Sequence, residues 1–220
     1  MPSKGLVLIV AAATVASASA EERAGHLFVT GGLTLPQQSG LSGETYQTYL
    51  HAPGGRTRGW LFGGGIFVAH AASLELELST TGVMRAREAT RYDTTVNEER
   101  QDRCAALAVR FHVRQNRLIG FEPLLGIALV ATRAWAQVES YSHSNPQQLL
   151  TVYPRQRSDL PIRAGLTAGL DLRLGAGRLA CIPSFHVQAT RTGTATESEY
   201  PGGGFPVWTF RPGVTVRFVF

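Results

Sequence analysis

Residues 207–220 have the sequence VWTFRPGVTVRFVF, in which two kinds of side chain alternate. One set of alternate positions is apolar, and the set between them carries small, polar or basic residues. Because successive side chains of a β-strand point to opposite faces, this period of two predicts a strand with one apolar and one polar face. The apolar face carries Trp208, Phe210, Pro212, Val214, Val216, Phe218 and Phe220, and the polar face carries Thr209, Arg211, Gly213, Thr215 and Arg217.

The same alternation recurs upstream, and it predicts seven more strands. Most of these stretches exceed the roughly 5–6 residues typical of soluble strands and reach the about 9–11 residues that cross a bilayer. Through the cores of the predicted strands the apolar face carries no charge, as lipid contact requires. The eight predicted strands are 25–33, 58–69, 73–84, 103–113, 118–135, 161–174, 179–190 and 207–220.

The connections between the predicted strands alternate in length. Those after strands two, four and six are short (70–72, 114–117 and 175–178), whereas the others are long and polar. Outer-membrane barrels have short periplasmic turns, long external loops and an even number of strands. The sequence therefore predicts an all-β fold, an eight-stranded antiparallel up-and-down transmembrane β-barrel with its long loops outside.

Residues 1–20, MPSKGLVLIVAAATVASASA, have the plan of a secretory signal peptide. Lys4 precedes an apolar run too short to span a bilayer, and Ala18-Ser19-Ala20 form a cleavage site of small residues. We expect a cleaved signal peptide over 1–20, a barrel over 21–220, and export to the outer membrane of a Gram-negative-type bacterium.

Aromatic residues are expected at the two edges of the apolar belt. Trp60, Trp135 and Trp208 fall at the external ends of their predicted strands, and Phe218 and Phe220 fall at the periplasmic end. Such rings form girdles at membrane boundaries because they combine an apolar body with, in tryptophan, a polar N–H.

The polar face predicts a charged lumen. Charges inside a narrow barrel must be paired, because a lone desolvated charge is costly. A plug of salt bridges is therefore favoured over an ion path, since eight strands leave room for little more than side chains. The predicted luminal network consists of Glu75, Glu77, Arg110, Glu122, Arg163, Asp171, Arg173, Arg211 and Arg217.

Two other folds are compatible with parts of the pattern. Residues 118–136 could form a transmembrane helix, although Glu122, Pro123 and Arg133 interrupt the run. A soluble lipocalin-like barrel would show the same alternation with its apolar face turned inward. Within the barrel prediction, local bulges are expected where Pro123, Pro183 and Pro212 interrupt the strands.

Other functional classes find little support. The formal net charge is +5, but there is no basic run or motif for nucleic-acid binding, and no histidine or cysteine spacing for a metal. No cofactor is expected. Cys104 and Cys181 fall near opposite ends of the barrel, so we expect two free, mostly buried thiols.

The segment from Tyr141 to Asn145 bears on an enzymatic role. Lipid A deacylases, which are also eight-stranded outer-membrane barrels, use a His-x-Ser pair followed by Asn. Here His143 and Ser144 are adjacent, so on a strand they would point to opposite faces. The spacing does not match, and no catalytic residue is assigned.

The motifs together resemble the OmpA-like "outer membrane protein β-barrel domain" family. They are FEPLLG at 121–126, PSF at 183–185 and the closing PGVTVRFVF at 212–220, in this order after the signal peptide. The resemblance covers residues 21–220. It implies contact with outer-membrane lipid and lipopolysaccharide, and recognition of the final strand with Phe220 by the barrel assembly machinery.

The family's peptidoglycan-binding domain does not follow the barrel, so a cell-wall tether is not implied. We expect a structural or surface-interaction role, with a loop ligand that the sequence does not identify. The alternatives are a porin-like conduit for small solutes or apolar ligands and an envelope lipid-modifying enzyme.

Overall fold

A computed structural model of the chain describes residues 24–38, 41–45, 48–52, 54–89, 93–114, 118–145, 147–159, 162–175, 177–190 and 207–220. The predicted signal peptide lies outside these residues. The strands in chain order are β1 (Leu27–Thr34), β2 (Gln37–Gln38), β3 (Leu41–Thr45), β4 (Thr48–Ala52), β5 (Gly55–Arg56), β6 (Gly59–Ala69), β7 (Ala72–Thr81), β8 (Met84–Ala89), β9 (Thr94–Phe111), β10 (Val113–Arg114), β11 (Ile119–Tyr141), β12 (Leu149–Val152), β13 (Gln156–Asp159), β14 (Arg163–Leu174), β15 (Leu179–Thr190) and β16 (Val207–Val219).

Eight long strands close into a barrel in the order β1-β6-β7-β9-β11-β14-β15-β16, and β16 pairs back with β1. Neighbouring strands are antiparallel throughout the ring. A path that starts at Trp208 on β16 and passes from each residue to its partner on the next strand returns to β16 at Phe218. The register is therefore offset by ten residues after one turn of the ring. This stagger requires strands tilted by about 35–45° to the barrel axis. The predicted all-β, eight-stranded up-and-down barrel is confirmed.

The two ends of the barrel differ. The turns that join β6 to β7 and β14 to β15 are short, and we call their end the short-turn end. At the opposite, long-loop end the ladder of β9 and β11 continues to Thr94 and Ser140. Short strands add to this projecting ladder, β8 along β9 and β12 and β13 along β11. The segment between β1 and β6 holds the β3–β4 hairpin and the β2–β5 pair, and β2 also pairs with β16.

The apolar face of the wall points outward. On β16 the exposed fraction is 50% for Val214 and 5% for Thr215, and this alternation continues along the strand. Exposed apolar side chains on all eight long strands form a belt far larger than the patches of soluble proteins, as a lipid-facing wall requires. The belt includes Leu27, Val29, Phe62, Ile66, Leu76, Leu107, Leu125, Ile127, Leu166, Leu170, Phe185, Val214 and Val216.

This orientation is the reverse of a lipocalin-like barrel, in which apolar side chains line the interior. Residues 119–136 belong to strand β11, so the transmembrane-helix alternative is wrong. No helix among the described residues has the length and hydropathy that a bilayer crossing requires.

Two predicted strands are longer than expected. β9 begins at Thr94 and not at residue 103, and β11 ends at Tyr141 and not at residue 135. In these extensions both faces carry polar residues, such as Glu98 and Glu99, so the sequence loses the alternation that marks the lipid-facing part. Pairing between backbones continues because it does not depend on that pattern.

The bulges expected at the three strand prolines do not occur. Pairing keeps its register through Pro123 opposite Leu170, Pro183 opposite Val214, and Pro212 opposite Phe185. A proline removes one ladder hydrogen bond but need not add a residue, so the strand stays extended. The cysteines are free, as expected, but both are half-buried and not mostly buried.

Candidate functional site

Arg110 on β9 contacts carboxylates from three other strands. Its Nε and Nη2 donate to the two carboxylate oxygens of Glu75 on β7, at 2.7 and 2.9 Å. Its Nη1 donates to Asp171 on β14 and lies 3.7 Å from Oε2 of Glu122 on β11. Side-chain exposure is 7% or less for all four residues. A planar guanidinium can bind several carboxylates in this way, so Arg110 links the four consecutive strands β7, β9, β11 and β14 on the inner face of the wall.

Glu122 has two further partners. Arg217 Nη1 on β16 donates to Glu122, with N–O distances of 2.9 and 3.0 Å, and Arg217 Nη2 lies 3.7 Å from Glu75. His112 Nδ1 lies 3.1 Å from Glu122 Oε1, and its Nε2 lies 2.9 Å from Ser73 Oγ. Ser73 in turn donates to Glu75. Together with the ion pairs Arg110–Glu122 and Arg217–Glu75, each at 3.7 Å, these hydrogen bonds form a closed circuit through four strands and the β9–β10 junction.

His186 on β15 extends the network toward the middle of the barrel. Its Nε2 lies 2.9 Å from Asp171 Oδ1 and its Nδ1 lies 3.4 Å from Glu77 Oε2. Arg211 Nη1 lies 3.1 Å from Glu77 Oε1 as an ion pair and hydrogen-bonds Ser79. Gly169 leaves space for the imidazole, because a Cβ at that position would lie 2.5 Å from His186 Cδ2. We call this set of carboxylate, guanidinium and imidazole side chains the lower cluster; it consists of Glu75, Glu77, Arg110, His112, Glu122, Asp171, His186, Arg211 and Arg217.

A second set of charges surrounds Asp102 near the long-loop end. Arg100 Nη2 and Nε donate to Asp102 at 2.6 and 3.0 Å. Thr132 Oγ1 and Gln38 Nε2 also donate to this carboxylate, at 2.7 and 2.9 Å. Arg163 Nη2 donates to Thr132 Oγ1 at 2.6 Å and lies 3.6 Å from Asp102 Oδ2. We call these five residues the upper cluster.

Little space is left in the described lumen. At the short-turn end the buried rings of Phe28 and Phe67 lie 5.1 Å apart, with His112 next to Phe67 and Arg217 over Phe28 at 4.9 Å each. Two interior cavities, one beside Asp102 and one beside Glu77, have volumes of about 10 Å³ each. A cavity of that size holds about one water molecule.

The predicted luminal residues fall into three groups. Glu75, Glu77, Arg110, Glu122, Asp171, Arg211 and Arg217 meet in the lower cluster, and Arg163 lies in the upper cluster. Arg173 is buried at the short-turn end and donates to the carbonyl oxygen of Gly177 at 3.4 Å. Sequence reasoning missed Arg100 and Asp102, because they precede the predicted start of their strand. The predicted network also did not include His112 and His186, which lie in the lower cluster.

The aromatic residues predicted as girdles occupy different surroundings. Trp60 is exposed and stacks on Phe62 with ring centroids 6.4 Å apart, and Trp208 is exposed on β16. Phe218 and Phe220 are exposed at the short-turn end, with centroids 5.1 Å apart. Trp135 is half-buried on the projecting part of β11, where the guanidinium of Arg155 lies 5.1 Å from its ring centroid.

The loop histidine forms no nucleophile pair. His143 Nδ1 lies 2.5 Å from Asp93 Oδ2, and the imidazole is almost fully exposed. The hydroxyl of Ser144 contacts that of Ser142 at 3.0 Å. A serine nucleophile needs a base within hydrogen-bond reach, and this contact gives Ser144 no base.

Outside the lipid-facing belt, Glu139 and Tyr141 form a surface pair on β11. The Tyr141 hydroxyl donates to Glu139 at 2.7 Å, and Asn97 Nδ2 donates to the same carboxylate at 2.8 Å. The hydrogen bond from Tyr141, followed by that from Asn97 and the charge of Arg87, lowers the pKa of Glu139 below its ordinary value. The same hydrogen bond raises the pKa of Tyr141.

No group of three or more histidine, cysteine, aspartate or glutamate side chains within the described ranges could hold a metal ion.

Comparison with known proteins identifies the fold. No family model matches the chain, and no curated protein matches it. The outer membrane protein OprG from Pseudomonas aeruginosa matches with a TM-score of 0.54 and 11% identity, over 90% of this chain and 97% of that one. Neisserial surface protein A matches with a TM-score of 0.48 and 10% identity, over 88% and 97%. Ail, the attachment invasion locus protein of Yersinia pestis, matches with a TM-score of 0.46 and 13% identity, over 89% and 99%. The match to OprG and the closed ring of eight antiparallel strands show that the chain has the fold of small outer-membrane β-barrels, as the resemblance implied.

Proposed function

We propose that this chain is an integral outer-membrane β-barrel whose long loops face outward in a structural or surface-interaction role, and whose lumen is closed by its own ion pairs. The main support for the proposal is that the same barrel has an apolar outer belt and a buried lower cluster whose charges are paired several times. The belt fits lipid, and the cluster fills the space that a conduit would need.

The lower cluster supports a plug in preference to a pore. Arg217 on β16 pairs with Glu122 on β11, and His186 on β15 contacts Glu77 on β7 at the opposite side of the ring, so these side chains cross the lumen. An eight-stranded barrel is just wide enough for such side chains. Ions would have to displace these contacts to pass, and breaking a buried pair costs about 3–5 kcal/mol.

Single-channel recording tests the plug. The chain without residues 1–20 is refolded and inserted into a planar bilayer, and insertion is verified by the shift of the folded band on an unheated gel. We expect no resolvable conductance steps over the usual voltage range. Steady, large conductance would replace the plug with the porin-like conduit.

The projecting ladder supports outward recognition. Strands β8, β9, β11 and β12 continue beyond the belt, and β12 presents Leu149, Leu150 and Val152 with about half of each side chain exposed. Binding residues of small barrels lie on such loops, which a rigid wall positions. We propose no enzymatic role, because among the described residues the hydroxyl of Ser144 contacts Ser142, which is not a base.

Assembly through the final strand is also part of the proposal. Phe220 is exposed at the short-turn end, and its backbone N–H donates to the carbonyl oxygen of Leu27 at 2.9 Å, where β16 closes the barrel. Phe220→Asp should reduce the amount of assembled barrel in the outer membrane much more than a loop change such as Gln147→Ala. Equal membrane levels for the two variants would contradict recognition of this strand by the assembly machinery.

A further inference from the structure

An apolar groove of about 490 Å³ crosses the outer wall of the barrel near the long-loop end. Its volume lies in the range of ligand pockets, roughly 300–1,000 Å³. The groove lies on the outward, lipid-facing side of the wall, so its surroundings in a membrane are acyl chains and headgroups. Its walls include Trp60 and Phe62 on one side and Leu129 and Ile162 on the other.

Strand register explains the groove. One row across neighbouring strands consists of Trp60, Thr80, Arg103 and Ala131, and the adjacent row consists of Phe62, Leu78, Ala105 and Leu129. Small side chains at positions 80, 105 and 131 therefore form the floor between large apolar side chains. Arg103 is the charged member of these rows, and it lies on the side that faces the long loops.

The rim above the groove is positively charged. Arg133 lies one row above Arg103 on the neighbouring strand, opposite Gln101. The nearby carboxylate of Asp159 lies 2.7 Å from Arg157 and 3.7 Å from Arg133. Glu99, the other carboxylate of this rim, is bound by Arg85 and Arg155.

The charges on this rim do not cancel. Among the described residues, no carboxylate lies within ion-pair distance of Arg103. The rim therefore carries more arginine than carboxylate directly above an apolar groove. A positively charged rim above an apolar groove is complementary to an amphiphile that has an anionic head group and apolar chains.

We infer that this groove binds the phosphorylated, acylated lipid of the outer leaflet, with acyl chains between Trp60 and Leu129 and a phosphate at Arg103 and Arg133. Guanidinium groups bind phosphate through paired, charge-assisted hydrogen bonds. The inference rests on the proposed outer-membrane function, since it needs the wall to be in a membrane with the long loops outward.

Trp60 reports on the groove, because its ring is one of the walls. In a variant with Trp135→Phe and Trp208→Phe, the fluorescence of Trp60 is measured in vesicles of phosphatidylcholine with brominated acyl chains, which quench a neighbouring tryptophan. Unbrominated lipid A is then added at a small mole fraction. A lipid A molecule in the groove excludes brominated chains, so quenching should fall well below the value given by the same fraction of unbrominated phosphatidylcholine.

Arg103 and Arg133 should determine how strongly the groove prefers lipid A to phosphatidylcholine. One arginine near an anionic lipid surface contributes a factor of about five in binding. Arg103→Gln should therefore weaken the protection by lipid A about fivefold, and the double change with Arg133→Gln should weaken it roughly 25-fold. Arg178→Gln removes the same charge from an exposed position at the short-turn end, and it should leave the protection unchanged.

The outcomes separate the two proposals. The lipid site would be overturned if lipid A reduced the quenching of Trp60 no more than the same fraction of unbrominated phosphatidylcholine does. It would also be overturned if the reduction persisted in the double arginine variant. Either result would leave the barrel in the membrane. Absence of any quenching of Trp60 by brominated phosphatidylcholine would mean that the wall does not contact lipid, and would overturn the proposed function itself.

Discussion

The lower and upper clusters occupy the same lumen but balance charge in opposite ways. The lower cluster contains four carboxylates, three arginines and two histidines. The upper cluster contains one carboxylate, Asp102, with Arg100 and Arg163. Within the two clusters as defined above, carboxylates therefore outnumber arginines in the lower cluster, and arginines outnumber carboxylates in the upper cluster.

His186 makes up part of the difference in the lower cluster. Both ring nitrogens of His186 face carboxylate oxygens, which accept hydrogen bonds but do not donate them, so the ring serves as a donor on both sides. In the upper cluster the hydroxyl of Thr132 and the amide of Gln38 complete the shell of Asp102. Each cluster should therefore depend most on its scarcer charge.

The largest effect is expected from Arg110→Ala. This change leaves Glu75 and Asp171 without their shared guanidinium, and removal of one partner from a buried ion pair costs about 3–5 kcal/mol. Arg110→Lys keeps the charge but cannot bridge several carboxylates, so it should lose less. The free energy of unfolding from urea titration in detergent measures both. Equal, small losses in the two variants would mean that water already separates these charges.

A smaller effect is expected from Asp102→Asn. The amide keeps one acceptor oxygen but no charge, so one of the two hydrogen bonds from Arg100 is lost, and a hydrogen bond to a charged group contributes about 1.5–3 kcal/mol. Asp159→Asn is the matched control, because its ion pairs with Arg133 and Arg157 are exposed and weak. The same urea titration should detect a loss for Asp102→Asn and none for the control. A loss in the control as large as that at Asp102 would refute the dependence on burial.

The smallest effect concerns the projecting ladder, where the charges lie outside the buried lumen. The hydrogen bond from Tyr141 lowers the pKa of Glu139, so its stabilising contribution is complete above the ordinary glutamate pKa and disappears as the pH falls through the lowered value. Acidification should therefore release the contact between Glu139 and Tyr141 while the barrel stays folded. NMR titration of the Glu139 carboxyl should show a lowered pKa that returns toward its ordinary value in Tyr141→Phe. An unchanged pKa in that variant would contradict the assignment.

Much of the wall could be predicted from the sequence because lipid imposes a simple rule on it. Every second residue of a membrane strand must be apolar, and Val214 and Thr215 obey that rule as plainly in the sequence as in the structure. The rule fails above the belt, where Glu98 and Glu99 are adjacent and both faces meet water or polar side chains. The start of β9, with Arg100 and Asp102, was missed for that reason.

Partners inside the lumen could be predicted only in part. Alternation places Arg110, Glu122 and Asp171 on the inner face, but it says nothing of their relative depth across the barrel. That depth depends on the stagger that accumulates from strand to strand around the ring. Asp171 therefore meets Arg110 from the far side of β11, whereas Glu122, the closest partner by sequence, lies at 3.7 Å and is bound mainly by Arg217.

The central claim is that a single alternating strand separates lipid from a closed lumen, and spin-label accessibility along β16 tests it most directly. Labels are attached to Val214→Cys and, separately, Thr215→Cys in a background without Cys104 and Cys181, and the refolded barrel is placed in lipid vesicles. The label at position 214 should be accessible to oxygen and protected from a water-soluble nickel chelate, and the label at position 215 should be protected from both. Access of the nickel chelate to position 215 would show a water-filled lumen, and oxygen access at 215 in place of 214 would show that the wall faces the other way.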